Sequence, residues 1–182
     1  MKSKWFLLIL VLFAMTACTS PSHEAMRQRL KYVSDCNRAD TVFTERWLPT
    51  VDSLVTYFDR HGAANDRMMA HYVQGRVHHD MSEAPQALEC YQRAAEQADT
   101  TRSNCDLYTL TAVYGQMADL FDAQYLPDDE MLALKKAEWI AQKNHDTLAA
   151  IKAYELRIRP YFLEGKKDSM LFIIFIILIV LA

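Results

Sequence analysis

Residues 68–101 carry the pattern that most constrains the fold, because they read as two amphipathic helices joined by a short polar turn. The first segment contains Tyr72 and Gly75, and the breaker-rich Asp80–Pro85 follows it. Gly75 has no side chain where a second helix would approach closely. The second segment has an apolar stripe at helical spacing, formed by Ala87, Leu88, Tyr91, Ala94, Ala95 and Ala98. The segment therefore predicts an antiparallel helix hairpin.

A glycine in the first helix, followed by alanine, an aromatic residue and alanine in the second, is typical of a tetratricopeptide repeat. Gly75, Ala87, Tyr91 and Ala94 match these positions. The hairpin therefore resembles a tetratricopeptide repeat. The resemblance implies stacked antiparallel hairpins that form a right-handed solenoid, in which these four residues pack helix against helix.

Similar patterns occur on both sides of repeat 1, which spans residues 68–101. Residues 102–145 predict repeat 2, with Gly115 in the place of Gly75, 40 residues further on, and Ala137 in its second helix. Residues 23–67 predict a degenerate helix pair, in which Pro49 marks either a kink or a late helix start. Residues 146–182 begin a third, incomplete unit. The sequence has only 4 glycines and 5 prolines, and it shows no strand-like alternation of apolar and polar residues. We therefore predict an all-α, tetratricopeptide-like solenoid with apolar N- and C-terminal segments.

The N-terminus predicts export and lipidation. Lys2 and Lys4 precede the apolar run 5–15, so residues 1–17 read as a signal peptide. Residues 15–18 resemble a bacterial lipobox, which implies acylation of Cys18, with 18–22 as a tether. The alternative is an ordinary signal peptide in which Cys18 is incidental. Together with the repeats, this arrangement is similar to tetratricopeptide lipoproteins of Bacteroidota. The resemblance implies a membrane-anchored protein of the cell envelope with its repeats in the periplasm, and leaves the inner or outer membrane open.

The C-terminal segment 170–182 is apolar throughout. Its thirteen residues carry no charge, yet a spanning helix needs about 17 to 25 residues. Three interpretations remain open: a short membrane anchor, the second helix of the third unit, or a non-native ending left by truncation or a frameshift.

The sequence contains no nucleophile motif, phosphate-binding loop or dinucleotide fingerprint. The formal net charge of −3 becomes −5 once Lys2 and Lys4 are removed, so nothing favours nucleic acid. His71 and His78 lie seven residues apart on one helix face, but a zinc site needs further ligands. Packing at the aromatic positions of the repeat is the favoured interpretation for both histidines. We therefore expect a protein that is not an enzyme and binds no metal or cofactor.

Three cysteines remain after Cys18. Cys36, Cys90 and Cys105 are an odd number for an oxidising compartment. Cys90 and Cys105 either form a disulfide across the loop between repeats or stay as free thiols, and free thiols are the favoured interpretation.

The tetratricopeptide resemblance implies that the first helices line a partner-binding groove. The corresponding positions are Met69, Tyr72, Arg76, His79 and Asp80 in repeat 1, and Thr109, Ala112, Gln116 and Asp119 in repeat 2. This mixture of polar and aromatic side chains suits an extended peptide or a partner helix, and a merely solvated face is the alternative. We expect a membrane-tethered scaffold for protein interactions. The alternative function is the truncated sensory portion of a longer membrane signalling regulator.

Overall fold

The computed structural model describes residues 22–39 and 41–181, and this part of the chain contains helices and no strand. The all-α prediction is confirmed. The predicted signal peptide, Cys18 and all of the tether except Ser22 lie outside the described residues. A 3₁₀ turn at Glu45–Trp47 precedes α2. The helices are α1 (His23–Arg38), α2 (Leu48–His61), α3 (Ala64–Asp80), α4 (Ala84–Glu96), α5 (Leu107–Ala123), α6 (Pro127–Lys143), α7 (Thr147–Leu156), α8 (Ile158–Leu163) and α9 (Lys167–Leu181).

Neighbouring helices pack as hairpins. α1 packs on α2, α3 on α4 and α5 on α6, while α7 and α8 together pack on α9. Successive hairpins meet where α2 contacts α3, α4 contacts α5 and α6 contacts α7. The first helices also contact each other, because α3 touches both α1 and α5. The first helices of three hairpins therefore share one surface.

Four of the helix ends share one turn geometry. Ser82, Tyr125, His145 and Gly165 all have positive φ, between 56° and 71°. The next residue in each case donates its backbone N–H to the carbonyl oxygen five residues earlier, as Glu83 does to His78 at 2.9 Å. This bond satisfies a carbonyl at the end of the helix. These four turns therefore share one Schellman-type closure, and only one of them has glycine at the residue with positive φ.

Gly75 is the point of closest approach between α3 and α4. A Cβ atom built there would lie 2.5 Å from Cε1 of Tyr91 and 3.2 Å from Cβ of Cys90. Ala87, Tyr91 and Ala94 are fully buried beside it. The small residues of α4 and the missing side chain of Gly75 therefore let an aromatic ring lie between the two backbones.

The structure corrects the prediction for Gly115. A Cβ atom there would have no neighbour within 4 Å, so no helix approaches α5 at this residue. α6 packs on a different side of α5, where Ala118 meets Ala133 and Leu134. Ala137 is buried, with 2% of its surface exposed. The two glycines share a sequence pattern and have different environments.

Several predicted boundaries shift. α3 begins at Ala64, one turn before residue 68, and the Asp66 carboxylate accepts the backbone N–H of Ala63 at 3.2 Å. Pro49 stands in the first turn of α2, which is the late start and not the kink, because a first-turn residue needs no N–H donor.

The buried apolar side chains form one large cluster from α1 to α5, joined by Ile140 of α6. Its largest fully buried members include Tyr91, Phe43, Phe58 and Leu54. A separate small cluster joins α5 to α6. The first three hairpins therefore hold most of the apolar core, and the C-terminal helices add to it at the edge.

Candidate functional site

Arg76 is the centre of a polar network that ties three helices together. Its guanidinium donates to Asn37 Oδ1 of α1 at 2.9 Å, to Asp80 Oδ1 at 3.0 Å and to Oε1 of Gln116 on α5. Asp80 in turn accepts the backbone N–H of Phe43 at 2.8 Å. These hydrogen bonds connect α1, α3 and α5 across their shared surface, near the C-terminal end of α3.

The other predicted groove residues divide into buried and accessible ones. Tyr72 is 7% exposed and its hydroxyl accepts a bond from Asn37, so it is part of the core and not a free groove residue. Thr109 is 2% exposed, and its hydroxyl and backbone N–H both donate to the Asp106 carboxylate at the start of α5. Both positions correct the groove prediction. The residues that remain partly or fully accessible are Met69, His79, Ala112, Gln116 and Asp119.

His79 stands beside this network. Its Nδ1 lies 3.3 Å from the Tyr91 hydroxyl. Burial lowers the pKa of His79, and the nearby charge of Arg76 lowers it further. A neutral imidazole therefore fits this position.

A cleft of about 470 Å³ opens at the other end of the same surface. Its floor includes Leu30 of α1 and Met69 of α3. Charged and polar side chains surround this floor: Arg27, Lys31, Ser34, Asp35, Arg38, Asn65, Asp66 and Asp106. Sequence reasoning identified Met69 and missed the residues from α1. The sequence did contain a pattern that indicates a shared basic face on α1, because Arg27, Lys31 and Arg38 recur at the spacing of one helix face.

Charges around the cleft are partly paired. Arg27 and Asp66 form a salt bridge of 2.8 Å between α1 and α3. Arg38 is 4.0 Å from Asp35 and lies over the ring of Tyr108, with its Cζ 5.7 Å from the ring centroid. The side chains of Arg38 and Lys31 are 55% and 75% exposed. Lys31 is paired with Asp35 at 2.5 Å. Three basic and three acidic side chains line the cleft, so the rim presents exposed charges of both signs beside an apolar floor.

His71 and His78 each lie within hydrogen-bond distance of a carboxylate. His71 Nε2 lies 2.9 Å from Asp59 Oδ1, and His78 Nδ1 lies 2.6 Å from Glu83 Oε2. Within residues 22–39 and 41–181 no three His, Cys, Asp or Glu side chains are grouped so that they could hold a metal ion.

Cys36, Cys90 and Cys105 are free thiols. Burial raises the pKa of the Cys90 thiol to about 11, and its Sγ donates to Gln74. The structure therefore has no bond between Cys90 and Cys105.

Glu130 is a buried carboxylate at the start of α6. It is 4% exposed, and Oε2 accepts no hydrogen bond within the described part of the chain. Arg159 of α8 is the nearest cation, with Nη1 3.7 Å from Oε2, and it also pairs with Asp122. Burial raises the pKa of Glu130 to about 7 from its ordinary 4.5, and the negative charge of Asp119 contributes.

Glu130→Gln is expected to remove a pH-dependent loss of stability. The folded-state pKa of Glu130 is raised, so ionisation of this carboxyl group destabilises the folded parent protein. The parent therefore loses no stability from Glu130 below pH 4.5, loses it progressively between pH 4.5 and about 7, and shows the full loss above pH 7. The variant should be about 1–3 kcal/mol more stable than the parent at pH 8 and similar to it near pH 4.5. Urea unfolding across this range measures the difference. The exposed Glu96→Gln is the control, and parallel profiles for all three proteins would contradict the prediction.

No protein-family model, curated protein or solved structure matches this chain. Among the helices of residues 22–39 and 41–181, none has the length and apolar character needed to cross a membrane.

Proposed function

We propose that this protein is a non-enzymatic, membrane-tethered scaffold that binds an extended segment of a partner protein in the cleft between α1, α3 and α5. The proposal includes a right-handed, tetratricopeptide-like arrangement of the hairpins. The observation that carries it is the cleft itself, because side chains of α1 and α3 and the N-cap of α5 line it. In a stacked-hairpin array the first helices form the surface that receives a partner.

The chemistry of the cleft suits a peptide. An apolar floor at Leu30 and Met69 accepts a hydrophobic side chain, and the rim offers both positive and negative groups to a neighbouring backbone or charge. We expect an extended partner segment to place one apolar side chain against Met69 and a neighbouring acidic side chain beside Lys31 and Arg38.

The position of the scaffold follows from its N-terminus. Acylation of Cys18 would hold the repeats at the cell envelope, because each buried methylene of an acyl chain contributes about 0.8 kcal/mol to membrane binding. Labelled palmitate should enter the parent chain and not Cys18→Ser. Ser22 caps α1 by accepting the backbone N–H of Ala25 at 3.2 Å, so the tether would lead directly into the helix that lines the cleft.

A photo-crosslinking amino acid at residue 69 tests the cleft. In the native host we expect a discrete adduct with one partner protein, because this side chain lies in the cleft floor. The same amino acid at the exposed Gln92 of α4 should give no such adduct. Combining the crosslinker with Lys31→Glu and Arg38→Glu should reduce the yield about tenfold or more, since two favourable charges become repulsive. Equal yields from residues 69 and 92, or a yield unchanged by the charge reversal, would refute the cleft as the binding site.

A further inference from the structure

α9 presents a continuous apolar face to solvent. On its inner side the helix packs against α7 and α8 and buries Ile173, which is 2% exposed. At 100° per residue, the outward side chains fall within an arc of about 120°. They are 57–63% exposed and comprise Leu171, Phe172, Phe175, Leu178 and Ile179. We call these five residues the α9 face.

The α9 face is large for an exposed surface. Five leucine, isoleucine and phenylalanine side chains at these exposures leave on the order of 600 Å² of contiguous apolar area, the upper end of the range for the largest patch on a monomer. Clefts of about 450 and 430 Å³ run beside α9, one next to α6 and α7 and the other next to α8. Open clefts therefore separate parts of α9 from the helices on which it packs.

The chemistry of the face favours lipid over protein. From residue 170 to 179 no side chain carries a nitrogen or oxygen atom. A protein interface has about one hydrogen bond per 100–200 Å², and the side chains of this face supply none. Two copies packed through α9 would each bury on the order of 600 Å², less than the roughly 800 Å² per partner of a standard interface. The hydrocarbon of a bilayer needs neither hydrogen bonds nor a matched partner surface.

The two ends of α9 differ in charge. Lys166 and Lys167 lie at its N-terminal end and are exposed, together with Asp168, and Lys166 pairs with Glu164 at 2.9 Å. The face toward the C-terminal end has no charge. Lysines at the edge of an apolar surface reach lipid head groups while their stems follow the hydrocarbon. The described helix has 15 residues, which corresponds to a length of about 22 Å.

We propose that α9 docks in the interfacial layer of a phospholipid bilayer. Its outward face enters the acyl region, Lys166 and Lys167 stay at the head groups, and Ile173 stays packed on the hairpins. The helix lies along the membrane surface as an amphipathic element does, and the rest of the fold supplies its polar side. This contact is independent of the cleft between α1, α3 and α5 and of the acyl chain on Cys18.

Phe175→Trp in the full-length chain tests the docking. The protein is reconstituted in vesicles of equal parts phosphatidylcholine and phosphatidylglycerol, with and without acyl-chain bromination. The added tryptophan should emit at shorter wavelength and be strongly quenched by the bromines, relative to the parent chain with its native tryptophans. Gln92→Trp, on the exposed side of α4, is the matched control and should show no added quenching. The comparison is needed because any N-terminal anchor brings the whole chain to the vesicle.

Phe172→Trp repeats the measurement at a second position of the α9 face, and circular dichroism confirms that each variant is folded. Lys166→Glu with Lys167→Glu should reduce the quenching of the Phe175→Trp tryptophan. Equal quenching at residues 175 and 92 would overturn the proposal, as would an unquenched tryptophan at 172 and 175. An unquenched tryptophan whose emission shifts with protein concentration would instead identify a second copy as the occupant.

Discussion

Gly75→Ala is expected to lower the free energy of unfolding by about 3 kcal/mol. The added methyl group would overlap the ring of Tyr91, at 2.5 and 2.6 Å from two ring carbons, and the ring is fully buried. Overpacking a closed core typically costs about 1–3 kcal/mol. Tyr91 is fully buried, so its ring is not free to move into solvent. Urea denaturation of parent and variant measures the loss.

Gly115→Ala is the matched control. Both glycines lie inside helices of 17 residues, and no atom lies within 4 Å of a Cβ at position 115. This substitution should therefore stabilise the protein by about 0.5–1 kcal/mol, the gain in helix propensity from glycine to alanine. Losses of similar size for the two variants would mean that α4 does not approach α3 at Gly75 as the structure shows.

Arg76→Ala is expected to cost about 2–4 kcal/mol. The substitution leaves Asn37, Asp80 and Gln116 without their shared donor, and the Asp80 side chain is only 13% exposed. Removing one partner from a largely buried charged network is costly, because the remaining charge stays desolvated. Thermal and urea unfolding of Arg76→Ala both measure the effect.

Arg93→Ala is the control for a surface pair. Arg93 and Glu89 are also four residues apart in a helix, and both side chains are more than half exposed. Exposed pairs of this kind contribute about 0.3–0.5 kcal/mol. Arg76→Lys keeps the charge but cannot reach three acceptors at once, so it should remain destabilised. If Arg76→Ala and Arg93→Ala unfold at the same denaturant concentration, the network does not connect the helices.

The Arg76 network also decides how the proposed binding surface can be tested. The sequence predicts Arg76 and Tyr72 as groove residues, and from this prediction alone their substitution is expected to abolish partner binding without unfolding the chain. In the structure both residues hold α1 and α3 together, so the same substitutions would change stability. Lys31 and Arg38 are exposed rim residues, and they separate binding from folding.

Much of the fold follows from patterns within single helices. The apolar stripe of α4 and the small residue at Gly75 predict a hairpin because both depend on spacing of three or four residues, which the helix itself sets. The lysine-led apolar N-terminus and Cys18 remain a sequence prediction outside the described residues. The C-terminal run is a helix, and only packing against α7 and α8 shows which of its sides is covered.

Contacts between helices far apart in the chain decided the rest. Gly75 and Gly115 occupy equivalent places in the sequence pattern, but the angle and offset of the neighbouring helix make one a contact point and leave the other open. Thr109 has the spacing of a groove residue but is buried, and its hydroxyl donates to Asp106, the N-cap of α5. Arg76 is surrounded by acceptors from α1 and α5 because three hairpins stack. Sequence alone determined which segments are helical and which faces are apolar. Which side chains meet across those faces depends on the register in which the hairpins stack. Only the tertiary packing sets that register.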